Sequence, residues 1–525
     1  MLQITMKPKT ALVAAALAFS FSAQAQTLEE GIKLYNYEKY ESAKKVLSPL
    51  AGSNPTANYY LGLTELQQGN VEAAKAIFAK VPDNVANQSG LARVSFAEGK
   101  AAEGNQMAQG IAGKAKKKDW ETMKLAADAV NYSKGGNTQQ AIDWYKNALA
   151  VQDNAELHIA IADAYQKLQS GGGEAMSNYE RVTDKDAKNS LAFSRVGKLW
   201  YDARNYELAL QNWKKASDAD PSNPVPYRDL SSAYAASGKY DLALQNVEKY
   251  YELSDKTTED KLQYMDLMFL SKNYDKAVQL ANEIVASGVK EPRVYGLLGF
   301  SQYELKDYAN AQKNAGIYIT QQDPKKVFPA DYIQYGRILM QSNQPDSANA
   351  YFNRAIAMDT AKVKSETYRD IAEAFKSAKD YKKAAEWYKR IVDTDPAVTA
   401  TDYFWVGAMN YYGSNFQDAA TAFEQMETKF PDQPSATYWR GRVGAAVDNE
   451  GKQGTAVPFY TKWLEKVGAN YDKKNDLMQA YQYMLLYYYN NNDKVNQKKY
   501  EDLVLSIEPN NDLVKQIKSS QAKGK

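Results

Sequence analysis

Small residues recur along the middle of the chain at a fixed interval of 34 residues. Four alanines share this step: Ala209, Ala243, Ala277 and Ala311. A second series keeps the same step 12 residues earlier: Gly197, Ser231, Met265 and Gly299. Aromatic or aliphatic residues stand between the two series, as at Trp200, Tyr234 and Met268. A period of this length, filled with helix-compatible residues, is typical of a helical solenoid.

The clearest copy of the repeat runs from Ser190 to about Asn223 and predicts two helices. Its first half places apolar or small residues at repeat positions 4, 7, 8 and 11: Phe193, Val196, Gly197 and Trp200. Its second half does so at positions 20, 24 and 27: Ala209, Trp213 and Ala216. Each set falls on one face of a helix, and the polar stretch between them is short enough for an antiparallel hairpin. Pro221 then ends the second helix because proline lacks a backbone N–H.

This pattern resembles the tetratricopeptide repeat (TPR), whose consensus has Trp/Leu-Gly-Tyr on the first helix and Ala-Phe-Ala-Pro on the second. Along the chain, the resemblance implies an all-α fold, a right-handed α-solenoid superhelix of about 14 TPR-like helix hairpins. We expect an N-terminal subarray over residues 26–118, a main solenoid over 119–510, and a capping helix and tail over 511–525. Leu513 and Ile517 make a narrow apolar stripe on that capping helix.

The first 25 residues differ in composition from the repeats. Lys7 and Lys9 precede an apolar stretch, Ala11 to Phe21, which ends at Ala23-Gln24-Ala25. These are the features of a secretory signal peptide, so we expect residues 1–25 to be removed after Ala25. The apolar run is too short for a membrane span, and the chain has no cysteine to carry a lipid anchor. We therefore expect export across the inner membrane to a bacterial periplasm, with extracellular release as the alternative and with no transmembrane segment.

The composition argues against catalysis and against nucleic-acid binding. The chain has one histidine, His158, and no cysteine, which excludes Cys-His and multi-histidine metal sites and leaves His158 as the only histidine for a Ser-His pair. His158 occupies repeat position 4, where neighbouring copies have aromatic residues, so we interpret it as a packing residue. The formal net charge of +2 is too small for a bulk nucleic-acid binder. We expect no enzyme activity, no catalytic residue, no metal and no cofactor.

Many of the 40 tyrosines fall on positions that the repeat uses for packing. Those at positions 11 or 24 include Tyr132, Tyr165, Tyr234, Tyr388 and Tyr460. We interpret these five as core residues with the hydroxyl at the edge of the core.

The resemblance also implies a binding surface, because the first helices of TPR proteins line the concave side of the superhelix. Repeat positions 2, 5, 9, 12 and 13 point into that groove. The basic residues at these positions are Lys198, Arg228, Arg293, Arg337, Arg369, Lys376 and Arg442. The aromatic residues there are Tyr201, Phe269, Phe300, Tyr303, Phe404, Tyr411, Tyr412, Tyr438, Tyr481 and Tyr488. Rings exposed beside arginine are the composition of protein-binding hot spots.

Two classes of function fit such a groove. The first is a non-catalytic periplasmic scaffold that binds a protein or peptide partner through the groove, within an envelope assembly. The second is a glycan or peptidoglycan binder whose groove tyrosines stack on sugar rings. Sugar sites usually combine rings with carboxylates or amides, whereas this groove combines rings with arginine. The sequence therefore favours a protein partner over a glycan.

Overall fold

The computed structural model describes residues 27–523, and the predicted signal peptide over residues 1–25 lies outside this range. Within the described range the chain forms helices and no β-strand. In chain order the α-helices are α1 (27–36), α2 (Tyr40–Ala51), α3 (Pro55–Gln67), α4 (Val71–Phe78), α5 (Val85–Ala97), α6 (Ala101–Ala112), α7 (Trp120–Asn131), α8 (Thr138–Leu149), α9 (Ala155–Tyr165), α10 (Gly172–Lys185), α11 (Ser190–Asp202), α12 (Tyr206–Ala219), α13 (Val225–Ala236), α14 (Tyr240–Leu253), α15 (Thr258–Leu270), α16 (Tyr274–Ala286), α17 (Pro292–Glu304), α18 (Tyr308–Gln321), α19 (Pro329–Gln341), α20 (Pro345–Met358), α21 (Ser365–Ser377), α22 (Tyr381–Thr394), α23 (Ala400–Tyr412), α24 (Phe416–Lys429), α25 (Pro434–Val447), α26 (Val457–Val467), α27 (Lys474–Asn490), α28 (Lys494–Ile507) and α29 (Asp512–Lys523).

Consecutive helices pair as hairpins, from α1 with α2 to α27 with α28, and within each of the two units described below a hairpin packs on the next one of the same unit. The part of the chain that the structure describes thus holds 14 hairpins followed by α29. The predicted all-α solenoid of about 14 hairpins is confirmed. No helix in this part is both long enough and apolar enough to cross a membrane.

The chain divides into two compact units, Met1–Ser287 and Gly288–Lys525, here called unit 1 and unit 2. The described hairpins of unit 1 are formed by α1 to α16, and unit 2 holds the remaining hairpins and α29. The division between residues 118 and 119 and the capping role of residues 511–525 stay predictions. On α29 the structure buries Val514 and Ile517 and leaves Leu513 half-buried, so Ile517 is buried as predicted but its buried neighbour is Val514 instead of Leu513.

The repeated small residues lie where the two helices of a hairpin approach each other. The alanines of the 34-residue series, Ala209, Ala243, Ala277 and Ala311, are all 0% exposed. A Cβ atom at Gly197 would lie 2.5 Å from Cδ1 of the Trp213 ring, and one at Gly407 would lie 2.6 Å from Cζ of Phe423. Real Cβ atoms are not found so close to a ring carbon. Each of these glycines therefore makes room for an aromatic ring on the second helix of its own hairpin.

A polar clasp joins the first hairpin of unit 1 to the loops that follow α12 and α14. The Tyr37 hydroxyl donates to Asp220 Oδ2 at 2.6 Å, and Lys33 Nζ lies 3.1 Å from the same oxygen. Glu38 pairs with Arg228 on α13. Although burial opposes it, hydrogen bonds from Ser222, Tyr37 and Lys33 hold the pKa of Asp220 well below its usual range. The carboxylate is therefore ionised and attracts Lys33.

Asp255 completes this clasp by capping α2 from a distant part of the sequence. Its Oδ2 accepts from the backbone N–H groups of Glu41 at 2.7 Å and Ser42 at 3.3 Å, and its Oδ1 accepts from the Ser42 hydroxyl at 2.5 Å. Lys39, the residue before α2, makes no capping bond of its own. A carboxylate at a helix N-terminus is stabilising because it pairs with free N–H groups and with the helix dipole. The clasp comprises Lys33, Tyr37, Glu38, Ser42, Asp220, Arg228 and Asp255.

Of two residues that the sequence assigned to packing, His158 and Tyr132, the structure buries the first and exposes the second. His158 is 5% exposed, and its ring nitrogens lie 2.8 Å from Asn178 Oδ1 and 2.8 Å from Asp153 Oδ1, so its assignment is confirmed. Tyr132 is 40% exposed, so its assignment to the core is wrong. The cause is local, since α7 ends at Asn131 and Tyr132 is the residue that follows it. Its hydroxyl instead donates to Asp163 Oδ2 at 2.9 Å.

Candidate functional site

The residues predicted to face the groove all lie on the odd-numbered helices from α11 to α27, each of which is the first helix of its hairpin. Four of them belong to unit 1: Lys198, Tyr201, Arg228 and Phe269. The other thirteen belong to unit 2: Arg293, Phe300, Tyr303, Arg337, Arg369, Lys376, Phe404, Tyr411, Tyr412, Tyr438, Arg442, Tyr481 and Tyr488. Their neighbours decide which of them remain free to meet a partner.

The members in unit 1 are engaged in contacts within that unit. Arg228 pairs with Glu38 of the clasp and lies 3.3 Å from Asp229. Lys198 lies 2.8 Å from Asp202, one turn further along α11. The Tyr201 ring packs 5.5 Å from the Trp213 ring. Phe269 packs on Tyr274, with ring centroids 5.5 Å apart.

In unit 2 three arginines share one arrangement, in which each reaches an aspartate on the first helix of the next hairpin. Arg293 lies 3.5 Å from Asp331, and Arg337 lies 3.6 Å from Asp370. Arg369 continues the series by donating to Asp402 at 2.9 Å. Each of these cations thus has a carboxylate partner inside unit 2. Lys376 is also matched, because it lies 2.5 Å from Glu373.

Arg442 departs from this arrangement. It makes no ion pair or hydrogen bond with any residue in the part of the chain that the structure describes. Its guanidinium carbon instead lies 4.0 Å from the centroid of the Trp439 ring and 4.9 Å from that of Tyr411. A guanidinium stacked on rings is held in place by cation–π attraction, yet its N–H groups remain available to an acceptor.

Arg442, Tyr411, Tyr412 and Trp439 together form a compact surface, here called the Arg442 platform. The Tyr411 ring meets the Trp439 ring edge to face, with centroids 5.3 Å apart. The Tyr412 ring lies 5.7 Å from Tyr411 and 6.1 Å from Trp439. Tyr412 is 49% exposed, which is high for a large ring in contact with others. Tyr411, Tyr412 and Arg442, which the sequence predicted to face the groove, are therefore neighbours in the structure.

The platform rests on a buried layer of rings that fixes its geometry. Trp439 stacks on Phe423 with centroids 5.4 Å apart and an interplanar angle of 26°. Phe404 approaches Trp439 from the side at 5.5 Å. Because Phe423 is fully buried, the tryptophan above it has little freedom to rotate. The exposed part of the platform is therefore presented by a rigid base.

The start of α23 is fixed by a capping box. The Thr399 backbone N–H donates to Asp402 Oδ2 at 2.9 Å, and its hydroxyl donates to the same oxygen at 2.7 Å. Burial opposes ionisation of Asp402, but the bonds from Thr399 and Arg369 outweigh it and lower the pKa of this carboxyl. Asp402 thereby ties the preceding hairpin to the helix that carries Tyr411 and Tyr412.

The position of α25 is fixed by a buried carboxylate on α24. Glu427 accepts from Thr437 Oγ1 at 2.8 Å and from Arg440 Nη1 at 2.8 Å, and Lys462 Nζ lies 2.8 Å from it. Burial opposes ionisation, but the bonds from Lys462, Arg440 and Thr437 outweigh it and lower the pKa of Glu427 to about 2. This network connects α24, α25 and α26, and α25 is the helix that carries Trp439 and Arg442.

Trp439 was not among the residues predicted from the sequence. It stands at position 6 of its repeat, outside the positions taken to face the groove. The signal available was its spacing from Arg442, since residues three apart on a helix are neighbours on its surface. That spacing alone does not reveal that Tyr411 from the preceding hairpin covers the other side of the guanidinium.

Two predicted groove residues are corrected by the structure. Phe300 and Tyr438 are only 5% and 6% exposed, so they offer almost no surface to a partner. Their positions, 9 and 5, flank the packing positions 8 and 4, and a large ring there turns back toward the core. Phe300 meets the Tyr318 ring at 5.9 Å, and Tyr438 packs 4.8 Å from Trp463.

The remaining tyrosines of the predicted groove pack on the second helix of their own hairpin. The Tyr488 ring stacks on Tyr500 with centroids 5.6 Å apart, and Tyr481 lies 6.0 Å from the same ring. Tyr303 lies 5.7 Å from Tyr308. These rings are half-buried, and no guanidinium stacks on them among the described residues. The Arg442 platform is therefore the strongest candidate for recognition.

Comparison with known families agrees with this architecture. A sequence model described as the tetratricopeptide repeat matches residues 28–103, 335–398 and 411–454. The last of these segments contains the whole Arg442 platform. No curated protein matches the chain.

Several solved structures are similar to parts of the chain or to most of it. The C-terminal part of a TPR repeat-containing protein from Cytophaga hutchinsonii is 28% identical over 49% of this chain and 98% of its own, with a TM-score of 0.41. A tetratricopeptide repeat protein from Parabacteroides merdae is 18% identical over 49% of this chain and 98% of its own, with a TM-score of 0.33. A chain of the APC/C hetero-tetramer Cut9–Hcn1 is 14% identical over 93% of this chain and 94% of its own, with a TM-score of 0.32.

Proposed function

Because the chain belongs to the tetratricopeptide-repeat family, whose repeats generally mediate protein–protein interaction, we propose that it is a non-catalytic scaffold of the bacterial periplasm. In this proposal it binds an extended segment of a protein partner at the Arg442 platform. The segment brings a carboxylate to Arg442 and an apolar side chain to the exposed face of Tyr412. The scaffold serves an assembly of the cell envelope.

One observation carries this proposal, namely that Arg442 lacks the carboxylate that its counterparts have. Arg293, Arg337 and Arg369 each reach an aspartate of the next hairpin, whereas Arg442 stacks on the Tyr411 and Trp439 rings and pairs with no carboxylate of the described chain. A stacked guanidinium forms two parallel hydrogen bonds with a carboxylate without reorienting. Arginine and tyrosine at a rigid, partly dry site are also the residues that dominate protein interfaces.

The same composition favours a protein partner over a glycan. A sugar site needs carboxylate or amide groups that converge on hydroxyls beside a ring. The platform presents a cation and three rings, and the nearby carboxylate Glu427 is buried and fully engaged. A glycan or peptidoglycan partner remains the alternative outcome of the experiment below.

The periplasmic location is proposed from residues 1–25. They combine Lys7 and Lys9, a short apolar run and an A-x-A site, which is the pattern of a secretory signal peptide. The absence of cysteine from the sequence also fits a protein that has no thiol to protect in an oxidising compartment.

The experiment replaces Tyr411, Tyr412 and Arg442 with alanine and compares partner capture after crosslinking in intact cells. Loss of an interfacial tyrosine or arginine commonly costs about 2 kcal/mol or more, so we expect capture to fall by at least about tenfold. Helicity measured by circular dichroism should not change, since none of the three is a core residue.

The matched control is Arg337→Ala, which removes the same charge from a first helix whose arginine already pairs with Asp370. We expect this control to capture the partner as the unaltered protein does. A triple variant that captures the partner fully would contradict the proposal. If it instead loses only retention on peptidoglycan, the glycan alternative replaces the protein-binding one.

A further inference from the structure

The clasp joins parts of unit 1 that are far apart in the sequence. In a linear solenoid each hairpin packs only on its neighbours in the chain. In unit 1 the first hairpin, formed by α1 and α2, also contacts α13 and the loops after α12 and α14. Tyr37 and Asp220 are 183 residues apart, and Glu41 and Asp255 are 214 apart. These contacts connect the two ends of the stretch from α1 to α14.

Another face of the first hairpin is fixed by an ordinary apolar contact. Ala43 and Leu47 of α2 are fully buried. They share one apolar core with Ala57 and Leu61 of α3. The hairpin is therefore held twice, by its apolar face on the second hairpin and by its polar residues on the seventh. The first hairpin of an open array has only the apolar contact, and the ends of such arrays fray.

The cap of α2 exists only while the first hairpin contacts the seventh. Lys39, which precedes α2, makes no capping bond of its own. The backbone N–H groups of Glu41 and Ser42 donate to Asp255 instead. If the two hairpins separated, these groups would lose their acceptor. Loss of a helix cap shifts such an equilibrium by roughly fivefold, so the cap favours the closed arrangement.

The clasp also pairs two charges of the first hairpin with opposite charges. Lys33 lies 3.1 Å from Asp220, and Glu38 pairs with Arg228. Although burial opposes it, Glu38 and Asp229 raise the pKa of Arg228 above its ordinary value. The four paired side chains are 24–44% exposed, so dissolved ions reach them. Added salt should therefore weaken both pairs.

The first hairpin reaches into the groove of unit 1 as well. Arg228 occupies a predicted groove position, and its carboxylate partner Glu38 lies in the turn between α1 and α2. Glu38 also lines one cavity together with Lys198 and Tyr201 of α11, two further groove positions. The chain itself thus supplies to Arg228 the kind of group that a partner is proposed to bring to Arg442.

We propose that the clasp closes the first seven hairpins of unit 1 end to end, here called the closed array, in which the first hairpin is an intramolecular ligand of the groove. The two ends of the closed array loosen together, because each is held by the other. Its groove at α11 and α13 is not open to a partner segment. The Arg442 platform lies in unit 2 and does not depend on this closure.

The first experiment measures the distance between the two ends of the closed array in the full chain. Because the sequence has no cysteine, Lys45→Cys and Gln245→Cys provide the only two sites for spin labels, on α2 and α14. Both residues are exposed, and neither belongs to the clasp. We expect double electron–electron resonance to give a narrow distance distribution at low salt. Raising the salt from about 0.05 M to about 1 M should broaden it.

A triple variant removes clasp bonds without changing any residue of the apolar core. Tyr37→Phe removes the bond to Asp220, Glu38→Gln removes the pair with Arg228, and Asp255→Ala removes the cap of α2. We expect the distance distribution to broaden. Hydrogen exchange should quicken by about tenfold or more both over residues 27–51 and over residues 240–253, because three polar contacts are lost.

The matched control is the double variant Arg337→Ala and Arg369→Ala. Both arginines pair with an aspartate of the adjacent hairpin in unit 2, so the control breaks only contacts between neighbours. We expect its effect on hydrogen exchange to stay in unit 2, with the label distance in unit 1 unchanged. Its helicity and that of the triple variant, measured by circular dichroism, should match the unaltered protein.

A second experiment tests whether the first hairpin occupies the groove. Phenylglyoxal modifies accessible arginines, and mass spectrometry locates the products. We expect Arg228 to react more slowly than Arg354, which is exposed and makes no ion pair within the described residues. In the triple variant Arg228 should react faster, while Arg354 should react as before.

Three results would overturn the proposal. The first is a broad distance distribution in the unaltered chain at low salt. The second is faster exchange in the triple variant over residues 27–51 alone, since the first hairpin would then fray as in an open array. The third is equal reactivity of Arg228 and Arg354 in the unaltered protein. The unaltered chain supplies the first and third results, so they remain decisive even if the triple variant folds poorly.

Discussion

Replacing Gly407 with valine is expected to destabilise unit 2 by about 2 kcal/mol or more. A Cβ at this position would lie 2.6 Å from Cζ of Phe423, and valine adds two methyl groups beyond it. Phe423 cannot move aside, because it is fully buried and stacks on Trp439 at 5.4 Å. Helix propensity favours valine over glycine by no more than about 1 kcal/mol. The steric overlap with Phe423 costs more than this, so the net effect of the substitution is to lower the stability of unit 2.

The control for this substitution is Gly110→Val. Gly110 also lies within a helix, but a Cβ there would meet nothing within 4 Å. We expect this variant to be neutral or slightly stabilising. Hydrogen exchange is the appropriate measurement, because each hairpin depends mainly on its neighbours and unfolding need not be two-state. Protection should fall around α23 and α24 for Gly407→Val, and a variant as stable as the control would contradict the packing argument.

Replacing Glu427 with glutamine is expected to lower the stability of unit 2 by about 3 kcal/mol at neutral pH. The carboxylate is buried and accepts from Thr437 and Arg440 while contacting Lys462. Glutamine keeps the shape but removes the charge that these donors stabilise. Glu424→Gln is the matched control on the same helix, because Glu424 pairs with Arg440 at the surface. An exposed pair is worth only about 0–1 kcal/mol.

The contribution of Glu427 to the stability of unit 2 is expected to decrease as the pH falls. Its pKa is about 2 in the folded protein and 4.5 for an ordinary glutamate. The stabilisation is therefore complete above pH 4.5 and is lost as the pH falls from 4.5 to about 2. Unfolding in urea at a series of pH values should show the two proteins converging at the acid end. A difference between them that stays constant down to pH 2 would contradict the assignment.

The sequence predicted the repeat architecture well because the repeat is a local pattern. Ala209, Ala243, Ala277 and Ala311 are buried as expected, since each must fit between two helices that are adjacent in the chain. A period of small residues reports such local contacts directly. The same reasoning failed at Tyr132, where the helix ends one residue before the ring.

Contacts between distant repeats were not predictable from this pattern. Tyr37 and Asp220 are separated by 183 residues, and Ser42 and Asp255 by 213. A repeat consensus describes contacts between neighbouring hairpins, so it carries no information about a clasp that joins the first hairpin to the seventh.

The candidate binding site was predicted in part. Tyr411, Tyr412 and Arg442 were each predicted to face the groove, because they occupy groove positions on first helices. Their stacking on Trp439, and the lack of a carboxylate partner for Arg442, depend on side-chain geometry between hairpins. Phe300 and Tyr438 occupy groove positions too, yet they are buried. The position of a residue in its repeat therefore identifies candidates for the binding surface. Whether such a residue is exposed depends on how its side chain packs against neighbouring rings, which the repeat pattern does not show.

The most direct test of the Arg442 platform is photo-crosslinking in intact cells with a photoreactive phenylalanine at position 412. Tyr206 provides a matched control site, because it is also a tyrosine about half exposed, 54% against 49%, but it lies on a second helix of unit 1. We predict that the probe at 412 crosslinks a specific protein, that the probe at 206 does not, and that Arg442→Ala removes the crosslink. The same products at both sites, or an unchanged product in the Arg442→Ala background, would contradict the account.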